Sequence, residues 1–324
     1  MRKFFPAANT PYGFISRFHS IYNEKEDEKV IYIKGGSGTG KSTLMKKLTE
    51  DAQKMGIQAE QFLCSSDPDS LDGVRFLNTK TAIVDATAPH IQDPLIPGIS
   101  GKIYNIADFW DDEKLKSFKN EIISLQKEKK NCFDMCYRYL KSAQALYPAW
   151  EDNITNNSVS GRFQFSQRDK TGKTRTLFAS GITPKGNINL LEDLLTGKVI
   201  GIEESADSSA ILKEINKNAN IAGYDTELYF CPMFPNSKAE HLVIKELEFS
   251  FTTVNDFHSH NAEEVIEATK KQTIPPDAGF MIDKACNYLK NAREFHNEIE
   301  KIYISAMDFS KMDETYDMLK NEIL

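Results

Sequence analysis

Several things are missing from this sequence, and each absence excludes something. No apolar run approaches the roughly eighteen residues of a bilayer-spanning helix, so no transmembrane segment is expected. The start, Met1-Arg2-Lys3-Phe4-Phe5-Pro6, is basic but has neither an apolar stretch nor a small-residue cleavage site behind it. A secretory signal is therefore not expected. Surplus positive charge is missing too: 40 Lys and Arg stand against 47 Asp and Glu, a formal net charge of −7. That balance excludes a generally basic nucleic-acid sheath and leaves room only for a local basic groove. The five cysteines are odd in number and lack paired zinc-type spacing, which reads as reduced thiols in the cytoplasm. What remains is 324 residues, 40% apolar and 27% charged, enough for a sizeable core and a prior of two domains.

The chain repeats itself. Thr10-Pro11-Tyr12-Gly13 is echoed by Thr183-Pro184-Lys185-Gly186, each between short apolar segments. Lys29-Val30-Ile31-Tyr32-Ile33 is echoed by Lys198-Val199-Ile200-Gly201-Ile202. Gly56, Glu60, Cys64 and Pro68 then match Gly223, Glu227, Cys231 and Pro235 in constant register. Ordered matches of this kind point to an internal duplication, with halves at 1–165 and 172–324. The polar stretch from Asn156-Asn157-Ser158 to Thr174 reads as the connector. Each half repeats a strand (29–33, 198–202), a helix (41–55, 208–218), a strand (58–64, 225–231) and a further strand (81–85, 249–253). Alternating strands and helices predict an α/β fold of two tandem halves, each a parallel sheet flanked by helices. Apolar residues at three-or-four spacing predict long helices over 112–147 and 280–304, with a shorter one after Ser310. Their stripes must be buried by their own hairpin, the opposite half or a second chain, so a protein partner or self-association through them is open. Cys132 and Cys136 fall on the first stripe and read as core.

One motif carries chemistry. Gly35-Gly36-Ser37-Gly38-Thr39-Gly40-Lys41-Ser42 fits G-x-x-x-x-G-K-[ST] in full, followed by Thr43 at the head of a helical segment. Glycines let consecutive backbone N–H groups curl into an anion nest, and the helix N-terminus adds further donors. Lys41 is then placed for the β- and γ-phosphates of ATP, and the Ser42 hydroxyl for Mg²⁺. Such a site needs a carboxylate at the end of a neighbouring strand, and Thr81-Ala82-Ile83-Val84-Asp85 supplies one. Asp85 is followed by Ala86 rather than Glu, so the adjacent catalytic Glu of many motor ATPases is missing there. Between helix and strand, Cys64-Ser65-Ser66-Asp67-Pro68-Asp69-Ser70-Leu71-Asp72-Gly73 is expected to be a loop near the phosphates. Asp67 or Asp69 there either positions a second metal shell or accepts a proton from a nucleophile, or is ordinary turn chemistry capping the next helix. Thr87 and His90 stand where γ-phosphate sensors would sit, against the alternative that His90 only hydrogen-bonds backbone. His258-Ser259-His260 suggests metal only weakly, because a third ligand is lacking.

These blocks give a resemblance. The first half resembles the P-loop NTPase superfamily, and more narrowly a group of bacterial ATP-binding proteins built from two tandem P-loop halves. The resemblance rests on Lys34 to Thr43, Cys64 to Gly73, Asp85 to His90 and the junction from Gly172 to Gly186. It implies nucleotide binding and leaves the substrate unnamed. The second half departs from the pattern: at the loop it reads Gly201-Ile202-Glu203-Glu204-Ser205-Ala206-Asp207-Ser208-Ser209-Ala210. Its glycines and lysine are gone, and Thr253 takes the place of Asp85. Glu203, Glu204 and Asp207, with no Lys to offset them, are expected to repel phosphates. One functional nucleotide site per chain is therefore expected, binding Mg-ATP. The leading expectation is an ATP hydrolase acting as a conformational switch. The alternatives are a small-molecule or nucleotide kinase and a nucleotide-gated scaffold.

Overall fold

The computed structural model describes residues 1–23, 29–96, 98–149, 160–255, 257–258, 262–267 and 271–324. The stretch Asn156–Ser158 and His260 lie outside them. In chain order the first half contains β1 (Arg2–Phe4), β2 (Ala7–Thr10), β3 (Gly13–Ser16) and β4 (Lys29–Lys34). Then come α1 (Lys41–Lys54), β5 (Ala59–Cys64), β6 (Asp67–Phe76), β7 (Thr81–Asp85) and β8 (Gly101–Asn105). Helices α2 (Asp112–Ser117) and α3 (Lys119–Leu146) complete it. The second contains β9 (Thr174–Leu177), β10 (Ser180–Thr183), β11 (Gly186–Asn189), α4 (Leu191–Leu194) and β12 (Lys198–Glu203). After these follow α5 (Ser208–Ile221), β13 (Thr226–Phe230), β14 (Ala239–Ile244), β15 (Phe249–Val254) and β16 (Glu264–Ile266). The chain closes with α6 (Pro276–Ser305) and α7 (Phe309–Ile323).

The fold is α/β, with two six-stranded sheets in the orders β1-β5-β6-β7-β4-β8 and β9-β13-β14-β15-β12-β16. Position for position the two orders are the same, and each half adds a separate hairpin, β2-β3 or β10-β11. The Thr-Pro-x-Gly turns close these hairpins, with Gly13 and Gly186 at φ of 94° and 100°, a region that disfavours other residues. The sheets are mixed rather than wholly parallel. β6 runs antiparallel to both β5 and β7, and β14 runs antiparallel to both β13 and β15. This corrects the expected loop over Cys64–Gly73. Asp67 and Asp69 open a strand instead of capping a helix, because β5 and β7 pair with it on either side and Leu71, Val74 and Phe76 are buried in the core, with a register shift against β5 bringing Leu71 in.

The halves meet about a local pseudo-two-fold axis. Phe5 and Phe178 exchange both backbone N–H···O bonds at 3.1 Å. Beside them Arg2 donates to Glu227 at 2.9 Å, and Arg175 donates to Glu60 at 2.8 Å. This reciprocity is what a duplicated surface produces when it packs on its own copy. One core takes Phe4, Phe18 and Phe62 from the first half with Leu177, Leu194 and Tyr229 from the second. Helix α7, from the end of the chain, lays Met312, Leu319 and Ile323 on the first sheet beside Leu44 and Leu48 of α1. The two sequence halves thus share cores. Helices α3 and α6 pack on each other, Cys136, Leu140 and Ala143 against Ile282, Ala285 and Leu289. Their apolar stripes are buried by the opposite half.

Candidate functional site

The glycine-rich loop joins β4 to α1. Gly38 and Gly40 take φ of 71° and 89°, which only glycine adopts without strain. Crowding adds to the requirement: a Cβ on Gly38 would lie 2.9 Å from the carbonyl oxygen of Glu300 on α6. A Cβ on Gly36 would meet the Trp110 ring at 3.1 Å, and Trp110 in turn packs on Tyr303 of α6 at 5.0 Å. The loop is therefore clasped by the second half's long helix.

The Lys41 ammonium bends back over the loop, donating to the carbonyls of Gly35 and, at 2.7 Å, Gly36. It lies 3.5 Å from Asp85 Oδ2 at the end of β7. Parallel pairing of β4 with β7, Ile33 opposite Asp85, brings loop and carboxylate together. Ser42 Oγ accepts the Leu71 N–H of β6 at 3.0 Å. The Thr87 hydroxyl accepts the Gly35 N–H at 3.1 Å and donates to the Gly35 carbonyl at 2.7 Å, tying the loop to the chain beyond β7.

These groups line one wall of a cavity of about 760 Å³ that also takes in Ser37, Thr39 and Thr43. The facing wall comes from α3 and α6: Lys129, Phe133, Tyr137, Arg293, His296 and Glu300. Arg293 Nη2 sits 2.8 Å from Asp67 Oδ2. His296 Nε2 lies 3.5 Å from Glu300, and Lys129 Nζ lies 3.4 Å from His296 Nδ1. The Glu300 carboxyl is held below its usual range by hydrogen bonding to His296, with help from Arg293 and from the Gly38 N–H facing it. A carboxylate thus stands at the mouth of the nest.

The residues expected from sequence fall in different places. Asp67 lines the cavity, but its carboxylate is engaged by Arg293 and by Ser70. Asp69 is exposed, pairs with Lys185 at 2.6 Å and does not line the cavity. His90 does line it, buried between Phe18 and Phe14 at 4.6 and 5.0 Å. Burial pushes its pKa down to about 4, so the ring is neutral near pH 7. Its Nε2 lies 3.6 Å from Asp72, whose carboxyl is pushed well above the usual range by burial and the nearby Asp85. Sequence reasoning missed Asp72 and the charged set on α6. The 293, 296, 300 spacing puts three polar groups on one helical face, a signal hidden within the apolar stripe.

In the second half Thr253 pairs opposite Ile202 as Asp85 does opposite Ile33, so it occupies the carboxylate's place. Ser209 still accepts a strand N–H, from Ala239 at 2.9 Å, as Ser42 does from Leu71. Two of the three acids, Glu203 and Glu204, are compensated by lysines, a correction to the sequence reading. Lys238, almost wholly buried, lies 2.8 Å from Glu204 and 3.3 Å from Glu240, and Lys271 pairs with Glu203. These lysines come from other segments, which the loop sequence could not disclose. A space of about 30 Å³ lies beside Glu240, His258 and Cys231.

No helix among the described residues is long and apolar enough to cross a membrane. No protein-family model, curated protein or solved structure matches this chain.

Proposed function

We propose that this chain is an ATP-binding protein of the P-loop NTPase type, Mg²⁺-dependent, with one nucleotide site in the first half. In this reading hydrolysis switches the arrangement of the halves. The observation that carries it is the cavity, with the glycine loop as one wall and α6 of the other half as the opposite wall. Whatever fills that space touches both halves, so its arrival and cleavage bias their packing.

The loop's own chemistry supports the reading. Gly36 to Gly40 offer backbone N–H groups at the start of a 14-residue helix, whose dipole favours an anion. Lys41 exchanges the Gly35 and Gly36 carbonyls for phosphate oxygens. Ser42 Oγ and Asp85 are hard oxygen donors that line the same cavity, the donor type that suits Mg²⁺. Bound there, Mg²⁺ would neutralise charge developing on the phosphates. Arg293 brings a guanidinium to the cavity from the second half and needs only to leave Asp67 to meet a phosphate. His90, neutral and fixed by two rings, and Asp67 are the cavity groups able to position a water or accept its proton.

Calorimetric titration with Mg-ATP, followed by phosphate release without any acceptor, tests this. Binding at one site with turnover supports a hydrolytic switch. Turnover only with an added acceptor replaces it by a kinase, and binding without turnover by a nucleotide-gated scaffold. Absence of binding refutes the nucleotide reading altogether.

A further inference from the structure

The large cavity has a second end that the nucleotide reading leaves unused. We propose that Lys129 and His296, with Phe133 and Tyr137 beside them, form a subsite for a second small molecule, a planar ring carrying an anion of the phosphate class. The subsite adjoins the glycine loop but does not need a nucleotide there. On α6, Leu289, Ala292, Arg293, His296, Glu300 and Ile304 all line the cavity. From 289 to 304 is 15 steps of about 1.5 Å, so the cavity follows the helix for about 22 Å. The glycine loop takes up one end of that length, since a Cβ on Gly38 would meet Glu300 and Ile304.

The other end is aromatic. Helices α3 and α6 run antiparallel, because Lys129 meets His296 at 3.4 Å and Tyr139 stacks on Tyr288 at 5.5 Å. Phe133 and Tyr137, one and two turns beyond Lys129, therefore lie progressively farther from the loop, about 6 and 12 Å along α3. Both line the cavity, as do Leu289 and, from β3, Phe14. A planar ring finds faces and edges to pack on there.

The charges say what the ring carries. Four Lys or Arg side chains line the cavity, and three of them are engaged. Lys41 lies 3.5 Å from Asp85, Arg293 lies 2.8 Å from Asp67, and Lys46 donates to the Asp69 carbonyl. The fourth is Lys129. Among the described residues no carboxylate is in ion-pair contact with it, and its polar contact is His296 Nδ1. It is half-buried, and burial lowers its pKa against the pull of the more distant Glu300. A partly desolvated ammonium short of a counter-charge gains most from an anion that a ligand supplies. As a point charge with three donors it can serve several phosphate oxygens at once.

The test is titration calorimetry on the full chain with phenyl phosphate, and with inorganic phosphate and phenol as its two fragments. We expect about one equivalent of phenyl phosphate, with each fragment binding at least about tenfold more weakly. Lys41→Ala should leave this affinity within about twofold, whereas Lys129→Gln should weaken it about tenfold and Phe133→Ala about fivefold. Lys129→Arg keeps the charge and should retain most of the affinity, which tells a lost charge from a damaged helix; circular dichroism checks that each variant folds. The proposal is overturned by a wild type that binds no phenyl phosphate at millimolar concentration, or by folded Lys129→Gln with full affinity. It is equally overturned if binding is lost through Lys41→Ala, which would put the anion in the glycine loop. Mg-ATP titrated alongside keeps the two readings apart: a wild type that binds phenyl phosphate but not Mg-ATP supports this subsite and refutes the nucleotide site alone.

Discussion

Replacing Glu300 by glutamine should tighten nucleotide binding, although the change removes a group from the cavity wall. The Glu300 side chain is 29% exposed and faces the Gly38 N–H, so a phosphate entering the nest approaches its carboxylate. Two like charges about 5 Å apart repel by roughly 3 kcal/mol at an effective dielectric near 20. Arg293, 4.0 Å away, already offsets part of that charge, and Glu300 also shares a hydrogen bond with His296. Solvent and salt screen more, leaving about 1 kcal/mol, which is about fivefold in Kd. Glutamine keeps the size and the contact of α6 with the loop, so packing is not the variable. Titration calorimetry of wild type and Glu300→Gln with Mg-ATP and with pyrophosphate reads the shift, which should be larger at low salt. Affinity unchanged within twofold, or weakened, would show that the carboxylate does not compete with phosphate. A wild type that binds neither ligand would refute the nucleotide reading instead.

Mg-ATP should bind with a stoichiometry of one, and Lys41→Ala should remove binding; a second equivalent surviving in that variant would mean that the second half was misread. Asp69→Asn should leave turnover unchanged because Asp69 lies outside the cavity, whereas Asp67→Asn frees Arg293 and should change it, as phosphate-release rates will tell. Arg175→Met should destabilise by about 3 kcal/mol, since Glu60 and Glu227 stay buried with only Arg2 and Lys245 left; a urea-unfolding loss under 1 kcal/mol would refute this. The contribution of His90 to stability should fall as pH drops from about 6.5 towards 4. His90 titrates near 4 when folded but near 6.5 when unfolded, so the unfolded chain binds the extra proton in that window. His90→Phe should flatten that slope in pH-dependent unfolding, and an unchanged slope would argue against a buried neutral imidazole.

Much of this protein is readable along the chain. The loop from Gly35 to Ser42 is local chemistry: its nest depends on residues adjacent in sequence, so composition and order suffice to specify it. The same holds for the Thr-Pro-x-Gly hairpins and for the long helices, whose 3.6-residue period repeats over many turns. The duplication is also a property of order alone, and strand pairing places Thr253 where Asp85 stands in the first half. Strand β6 was not legible, because Asp-Pro-Asp-Ser at its start has turn chemistry and only pairing on both sides makes it a strand. What the second half's acids meet was decided at a distance, by Lys238 and Lys271 arriving from other segments. The same is true of the cavity's far wall. Arg293, His296 and Glu300 read as ordinary polar positions on a helix until α6 is packed across the glycine loop some 260 residues earlier in the chain. Periodicity says which face of a helix is buried; only the assembled fold says against what, because that depends on long-range packing that no local pattern encodes.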